Sequence, residues 1–237
     1  MTTQKTMFSA ANGAMFDIAI VGAIVTPNET TMQYRDRGNQ LMHAEEISGW
    51  QDGKSRLTRL ASRIDSLLPE RALILPRTNE IVLPSMVGVL SIQPLTKGGF
   101  AVRLADKTAR HGLLALIRTT TDDEAKAIRD EIKVGIRDFA RTMPENFERL
   151  LEMPTGDLIA PSIIGLVKQT RTGVALCDSS GTRENMILHV TCQDEQRMQL
   201  NDLLRSAFTV VSGDVPPDEE GEEHFAGAGG TADRTAA

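Results

Sequence analysis

Ala72-Leu73-Ile74-Leu75, Met86-Val87-Gly88-Val89-Leu90-Ser91-Ile92 and Gly112-Leu113-Leu114-Ala115-Leu116-Ile117 are apolar runs that crowd into residues 72–121. Each is short, rich in Val, Ile and Leu, and bounded by Pro, Gly, Asn or Asp, the pattern of buried strands rather than helices. Pro84, Pro94 and Gly98-Gly99 punctuate them. A sheet at the centre of the chain is therefore the first expectation.

Directly after it, Thr121-Asp122-Asp123-Glu124 has the form of a capping box opening a helix to about Thr142. Its acids sit at the positive end of the helix dipole, and Lys133, Arg137 and Arg141 lie toward the negative end. Ala125, Ile128, Ile132, Ile136 and Phe139 form the stripe for burial. Gly135 lies beside that stripe. A mid-helix glycine costs up to about 1 kcal/mol relative to alanine, which suggests a close packing approach. Gly135, Lys133 and Arg137 are accordingly the candidate contact surface for another chain. Pro144 ends this helix or begins a short one over Glu145–Glu152.

Toward the N-terminus, residues 1–13 are polar and small and read as disordered. Phe16–Thr26 reads as a strand, Pro27-Asn28-Glu29 as a turn, and Thr31–Tyr34 as a second strand. Leu41 and Met42 fit a short helix, and Asp52-Gly53 a break. Ser55–Leu68 is amphipathic, with Leu57, Leu60, Ile64, Leu67 and Leu68 on one face and Arg56, Arg59 and Arg63 on another. Those arginines, with Lys54, form the one local basic face and are the candidate anion contact; a solvated helix face is the plainer reading. Aromatic side chains for base stacking are absent nearby, so direct DNA or RNA binding is not expected.

Beyond residue 156, Leu158–Val167, Gly173–Cys177 and Met186–Thr191 read as strands and Gln193–Phe208 as a helix. Two echoes link this module to the previous one. Pro84-Ser85-Met86-Val87-Gly88-Val89-Leu90 matches Pro161-Ser162-Ile163-Ile164-Gly165-Leu166-Val167, and Val102–Asp106 matches Val174–Asp178. A duplication of a strand-strand-strand-helix unit follows as an expectation. After Gly213 the chain carries seven acids and one base (Arg234), and reads as a disordered acidic tail.

Subtracting that tail from totals of 32 acids and 26 bases leaves 25 of each in residues 1–212. A near-neutral body gives no whole-domain attraction to nucleic acid or anionic membrane. The apolar segment Ala14–Val25 contains Asp17 and is too short to span a bilayer. Cys177 and Cys192 are expected as free thiols, since a turn near Gly181–Glu184 would set position 177 opposite roughly 188. The expectation is a soluble, cytoplasmic protein with no bound cofactor, metal or membrane.

No catalytic constellation stands out. Asp36, Asp106 and Asp178 each close an apolar run, with His43, His111 and His189 following at unequal spacings. Turn chemistry explains these aspartates better than metal ligation. Cys177, Asp178, Ser179 and Ser180 could form a nucleophile cluster only with an oriented base such as His189; a buried cysteine before a serine-rich turn is the simpler account. Trp50 and Tyr34, the single Trp and Tyr, read as core positions rather than pocket walls.

Gly22-Ala23-Ile24-Val25-Thr26, a turn, Thr31–Tyr34, helical segments, then Ala72–Arg77, Met86–Leu95 and Gly112–Thr119 give an order of elements that resembles a PAS domain. Asp52-Gly53-Lys54 before its helix, and Leu73–Arg77 followed by Val87–Leu95, are similar to sensor domains upstream of helix-turn-helix transcription regulators. The resemblance spans residues 16–121, and no helix-turn-helix pattern follows it. It implies an α+β protein: a PAS-like module at 14–121, a helical connector at 122–153, a smaller module at 157–208, and disordered ends at 1–13 and 213–237. The function expected is a non-enzymatic sensory or regulatory binding protein acting through a protein partner or as a homodimer, with room for a small-molecule ligand. A scaffold that self-assembles through duplicated modules is the alternative, and an enzyme the third.

Overall fold

Three times along the chain a short β-hairpin runs into a 3₁₀ turn, three antiparallel strands and a helix. The computed structural model describes residues 6–10, 12–64, 67–68, 71–108, 111–142, 147–178 and 186–208. Unit 1 comprises β1 (Met7–Ser9), β2 (Met15–Asp17), a 3₁₀ turn at Ile18–Ile20, β3 (Val21–Asn28), β4 (Thr31–Asp36), β5 (Leu41–Glu46) and α1 (Trp50–Ile64). Unit 2 comprises β6 (Leu73–Ile74), β7 (Ile81–Val82), a turn at Pro84–Met86, β8 (Val87–Pro94), β9 (Phe100–Asp106), β10 (Leu113–Thr119) and α2 (Asp122–Thr142). Unit 3 comprises β11 (Leu151–Glu152), β12 (Leu158–Ile159), a turn at Pro161–Ile163, β13 (Leu166–Thr170), β14 (Gly173–Cys177), β15 (Met186–Thr191) and α3 (Asp194–Ala207).

The equivalence extends to single backbone atoms. The N–H of Val21, Val87 and Ile164 closes each 3₁₀ turn onto the carbonyl of Ile18, Pro84 and Pro161. Each leading hairpin has a residue of positive φ two positions before its second strand, namely Gly13, Asn79 and Gly156, and the unit 2 turn has a second one at Arg77. Both sequence echoes fall at equivalent positions in units 2 and 3, and the structure adds unit 1 as a further copy.

The hairpins of units 2 and 3 each join the sheet of the unit before. The orders are β5-β4-β3-β7-β6 and β10-β9-β8-β12-β11, leaving β13-β14-β15 as a three-stranded sheet and β1-β2 as a two-stranded ladder. Residues 16–121, over which a single PAS-like module is expected from the sequence, are therefore divided among the β1-β2 ladder and the two five-stranded sheets. A bulge at Gly22 and Gly88 bends β3 and β8 where the next hairpin enters. A Cβ there would lie 2.6 and 2.5 Å from the carbonyl oxygens of Asp36 and Asp106, so only glycine fits.

Helix α2 buries Ala125, Ile128, Ile132, Ile136 and Phe139 against its own sheet and against Leu73 of β6 and Leu75 just after it. The Thr121 hydroxyl accepts from Glu124 N–H at 3.3 Å, while the Glu124 carboxylate reaches one residue further back, to Thr120 N–H at 3.0 Å. Both cysteines are buried and free, and a register shift sets Cys177 opposite Met186.

Several local expectations are corrected. Leu41 and Met42 lie on β5, where pairing with β4 outweighs any helical tendency. Asp52-Gly53 falls inside α1: Asp52 accepts from Ser48 N–H at 3.0 Å, and a Cβ on Gly53 would meet Ile47 and Thr26 at 2.8 and 3.0 Å, so glycine lets the helix close on the sheet. Helix α1 consequently starts five residues earlier than Ser55. Phe16–Thr26 and Leu158–Val167 are each broken by a 3₁₀ turn. Residues 147–150 are not helical and Leu151–Glu152 is a strand, against the expected Glu145–Glu152 helix. Met7–Ser9 is a paired strand rather than disordered chain. Tyr34 is core, but Trp50 is exposed. The acidic tail lies outside the described residues.

Candidate assembly surface at the open sheet edge

The joint between successive units is built the same way twice. Val82 lies opposite Ala23 and Ile81 opposite Ile24; Ile159 lies opposite Val89 and Leu158 opposite Leu90. Leu83 N–H donates to Gly22 O at 2.9 Å, and Ala160 N–H to Gly88 O at 2.7 Å. In an antiparallel ladder this makes Ala23–Val82 and Val89–Ile159 non-hydrogen-bonded pairs, and turns the polar backbone of Ile24 and Leu90 toward the hairpin. Ile81 shares an apolar cluster with Leu57 and Ile64 of α1, and Leu158 shares one with Ile136 and Phe139 of α2.

A buried carboxylate closes each joint. Glu80 accepts from the Thr26 N–H at 2.8 Å and its hydroxyl at 3.2 Å; Asp157, at the equivalent place, accepts from Ile92 N–H at 3.2 Å. Burial pushes both carboxyls above their ordinary range despite these donors. An acid whose folded pKa is raised favours the fold in its protonated form, a contribution lost as pH rises through that raised value. Glu80→Gln, which keeps the acceptor and removes the charge, is therefore expected to be more stable than the wild type at neutral pH, with the difference shrinking in acid. Urea denaturation at several pH values measures it; a variant less stable at neutral pH would contradict the sign.

A second contact spans the joint. Asn39 donates to Asp106 Oδ2 at 2.5 Å and Arg35 to Leu113 O at 2.9 Å. His111, which like Asn39 has positive φ, reaches toward Asp178 of unit 3, its Nε2 4.0 Å from Oδ2 and outside hydrogen-bond distance.

At unit 3 the pattern stops. β13 has no strand on its outer edge among the described residues, and β2 has none on its own. Where β3 and β8 are buried along their first residues, β13 alternates between half-buried and exposed. Ile24 and Leu90 are 0 % exposed but the equivalent Val167 is 37 % exposed; Ile81 and Leu158 are 2 % and 4 % exposed but the equivalent Met15 is 68 % exposed. Beside the open edge lies a cleft of about 270 Å³, lined by Val167 and Gln169 and by Leu204 and Phe208 of the α3 segment. It occupies the place that Ile81 fills below α1 and Leu158 below α2.

The residues singled out from sequence lie elsewhere. Lys133 is buried and paired with Glu152 of β11, which also holds Arg137. Gly135 faces the chain's own β6, where an added Cβ would stand 2.6 Å from Leu73 Cδ2. These three positions thus meet the hairpins of units 2 and 3. Arg56, Arg59 and Arg63 line a cleft of about 440 Å³ with Phe8, Tyr34 and Glu45. Arg56 is neutralised there by Asp52 at 2.9 Å and Glu45 at 3.9 Å. Burial, reinforced by Glu45, raises the Tyr34 hydroxyl well above its ordinary value.

Asp36 and Asp106 hold their turns as expected: Asp36 accepts from Gly38 and Gln40 N–H, Asp106 from Thr108 and Gly112 N–H. His189 pairs across from Ala175, with Nε2 3.0 Å from Thr170 Oγ1, and is not adjacent to Cys177 in register. Ser179 and Ser180 lie outside the described residues. Among the described residues no group of three His, Cys, Asp or Glu side chains is placed to hold a metal, and no helix is long and apolar enough to cross a membrane. Comparison with protein-family models, with curated proteins and with solved structures finds no match. Sequence reading missed the open edge because its signal is positional: Val167 is apolar like its equivalents, and it is exposed because no hairpin among the described residues pairs with β13.

Proposed function

We propose that this protein is a non-enzymatic structural scaffold that assembles with copies of itself by β-strand addition at the outer edge of β13. The observation that carries this reading is the exposure of Val167 and Met15 at positions that the two internal joints bury completely or nearly so. An apolar edge with unpaired backbone groups is a template for another strand. The ligand-sensing alternative draws on the cleft under α1. A comparable helix–hairpin cleft recurs in unit 2, lined by Leu73, Gly135 and Phe139, so such clefts belong to the repeat itself.

Size-exclusion chromatography with light scattering tests the proposal. The wild type is expected to exceed the mass of one chain in a concentration-dependent manner, and Val167→Pro to elute as a single chain with an unchanged circular dichroism spectrum. By the alternation that follows from the internal joints, the Val167 N–H faces outward, so proline removes a donor from the edge without breaking the β13–β14 ladder. A wild type that stays monomeric at every accessible concentration, or a Val167→Pro variant that assembles normally, would overturn the scaffold reading.

A further inference from the structure

We infer that the strand completing the third sheet is β2 of a second copy of this chain, entering with Phe16 opposite Leu166 and Met15 opposite Val167. This deepens the scaffold reading and rests on it. The register is transferred from the internal joints. Residues 15 and 16 stand where 81 and 82, and 158 and 159, stand ahead of their 3₁₀ turns. Residues 166 and 167 stand where 23 and 24, and 89 and 90, stand after theirs. Gly165 takes the place of Gly22 and Gly88, so its carbonyl would accept from the Asp17 N–H, as theirs accept from Leu83 and Ala160.

Donor and acceptor are both built before they meet. The hairpin is held on its own unit by a cluster of Phe8, Phe16 and Tyr34, with ring centroids 5.0–5.9 Å apart. That anchorage leaves the outer edge of β2 without a partner strand among the described residues, and Met15 exposed. On the acceptor side, the cleft beside Val167, Leu204 and Phe208 is where Met15 would sit, as Ile81 shares the cluster of Leu57 and Ile64. A flexible thioether suits such a seat. Each copy gives one hairpin and receives one, a heterologous contact that closes into a ring or extends as a filament.

Two differences set this joint apart from the internal ones. The place of Glu80 and Asp157 is taken by Ala14, so no carboxylate meets the Gln169 N–H. Past the two-residue contact, Lys168 and Gln169 stand where β8 has Ser91 and Ile92. A lysine just beyond the contact discourages longer edge-to-edge pairing, which keeps the joint short and dissociable.

Cysteine cross-linking between two distinguishable copies of the full chain tests the register. One copy carries Met15→Cys and a mass tag, and the other carries Val167→Cys. Both side chains are exposed, so folding is not at stake, and Cys177 and Cys192 are buried. Directly opposed residues in a hydrogen-bonded pair have Cα atoms about 5.5 Å apart, inside the range a disulfide spans. Mild oxidation is expected to give a reducible tagged–untagged dimer, and at least several-fold less when Gln169→Cys replaces Val167→Cys. Assembly without this cross-link, or equal cross-linking at Gln169, would overturn the register while leaving the scaffold reading standing. If a chain carrying both Met15→Cys and Val167→Cys instead forms a disulfide within single chains, the hairpin closes on its own β13 and the second-copy inference fails. A monomeric wild type removes both.

Discussion

Asp106→Ala is expected to lower folding stability by about 3–5 kcal/mol, the cost typical of breaking a buried, multiply bonded polar group. The carboxylate is 2 % exposed and accepts from Thr108 N–H at 2.9 Å, Thr108 Oγ1 at 2.6 Å, Gly112 N–H at 3.0 Å and Asn39 Nδ2 at 2.5 Å. Alanine leaves the turn donors and the donor from the preceding unit without their acceptor. The equivalent Asp36 offers an internal control. It is half-buried and accepts from the Gly38 and Gln40 N–H groups of its own turn. Asp36→Ala should cost only about 1 kcal/mol, the net worth of ordinary exposed bonds. Urea midpoints measure both. Equal losses at the two sites would mean that the Asn39–Asp106 link adds nothing to the joint.

Leu90→Ala should cost about 2–5 kcal/mol, the range for emptying a fully buried leucine site. Leu90 is completely buried, central in β8, and covered by Leu158 from the next hairpin. Val167 occupies the same position in unit 3 and is exposed, so Val167→Ala should change the stability of the isolated chain by no more than about 0.5 kcal/mol. The contrast depends on what covers each position, since both are aliphatic residues on equivalent strands. Denaturation in dilute solution, where the chain stands alone, is the appropriate measurement. A large loss for Val167→Ala there would mean that its edge is already covered within one chain.

Much of the secondary structure was legible from local pattern. The α2 capping box, its apolar stripe, and β14 and β15 depend on residues close in sequence, and they lie where periodicity places them. The Pro-Ser echo was legible as well, and its two copies mark equivalent 3₁₀ turns. Unit 1 escaped notice because its turn reads Ile18-Ala19-Ile20 without the proline, and its hairpin offers no long apolar run. Strand pairing was the harder matter. β6 and β8 are separated by a dozen residues, yet they lie in different sheets, because the hairpin's partner is the strand behind it in sequence. Lys133 and Arg137 read as a contact surface for another chain, since nothing local shows that Glu152 returns to meet them.

That the hairpins of units 2 and 3 belong by sequence to one unit and by hydrogen bonding to the one before has a consequence for where the chain can be divided. A cut just after α1 would respect the sequence period, yet strip two strands from the first sheet and bare Ile24. A cut just after β7 would keep that sheet whole, yet take from α2 the surface on which Gly135 and Phe139 rest. Covalent and folding boundaries run out of phase along the chain, like courses of brick laid in overlapping bond. Neighbouring units therefore gain and lose order together rather than as independent beads.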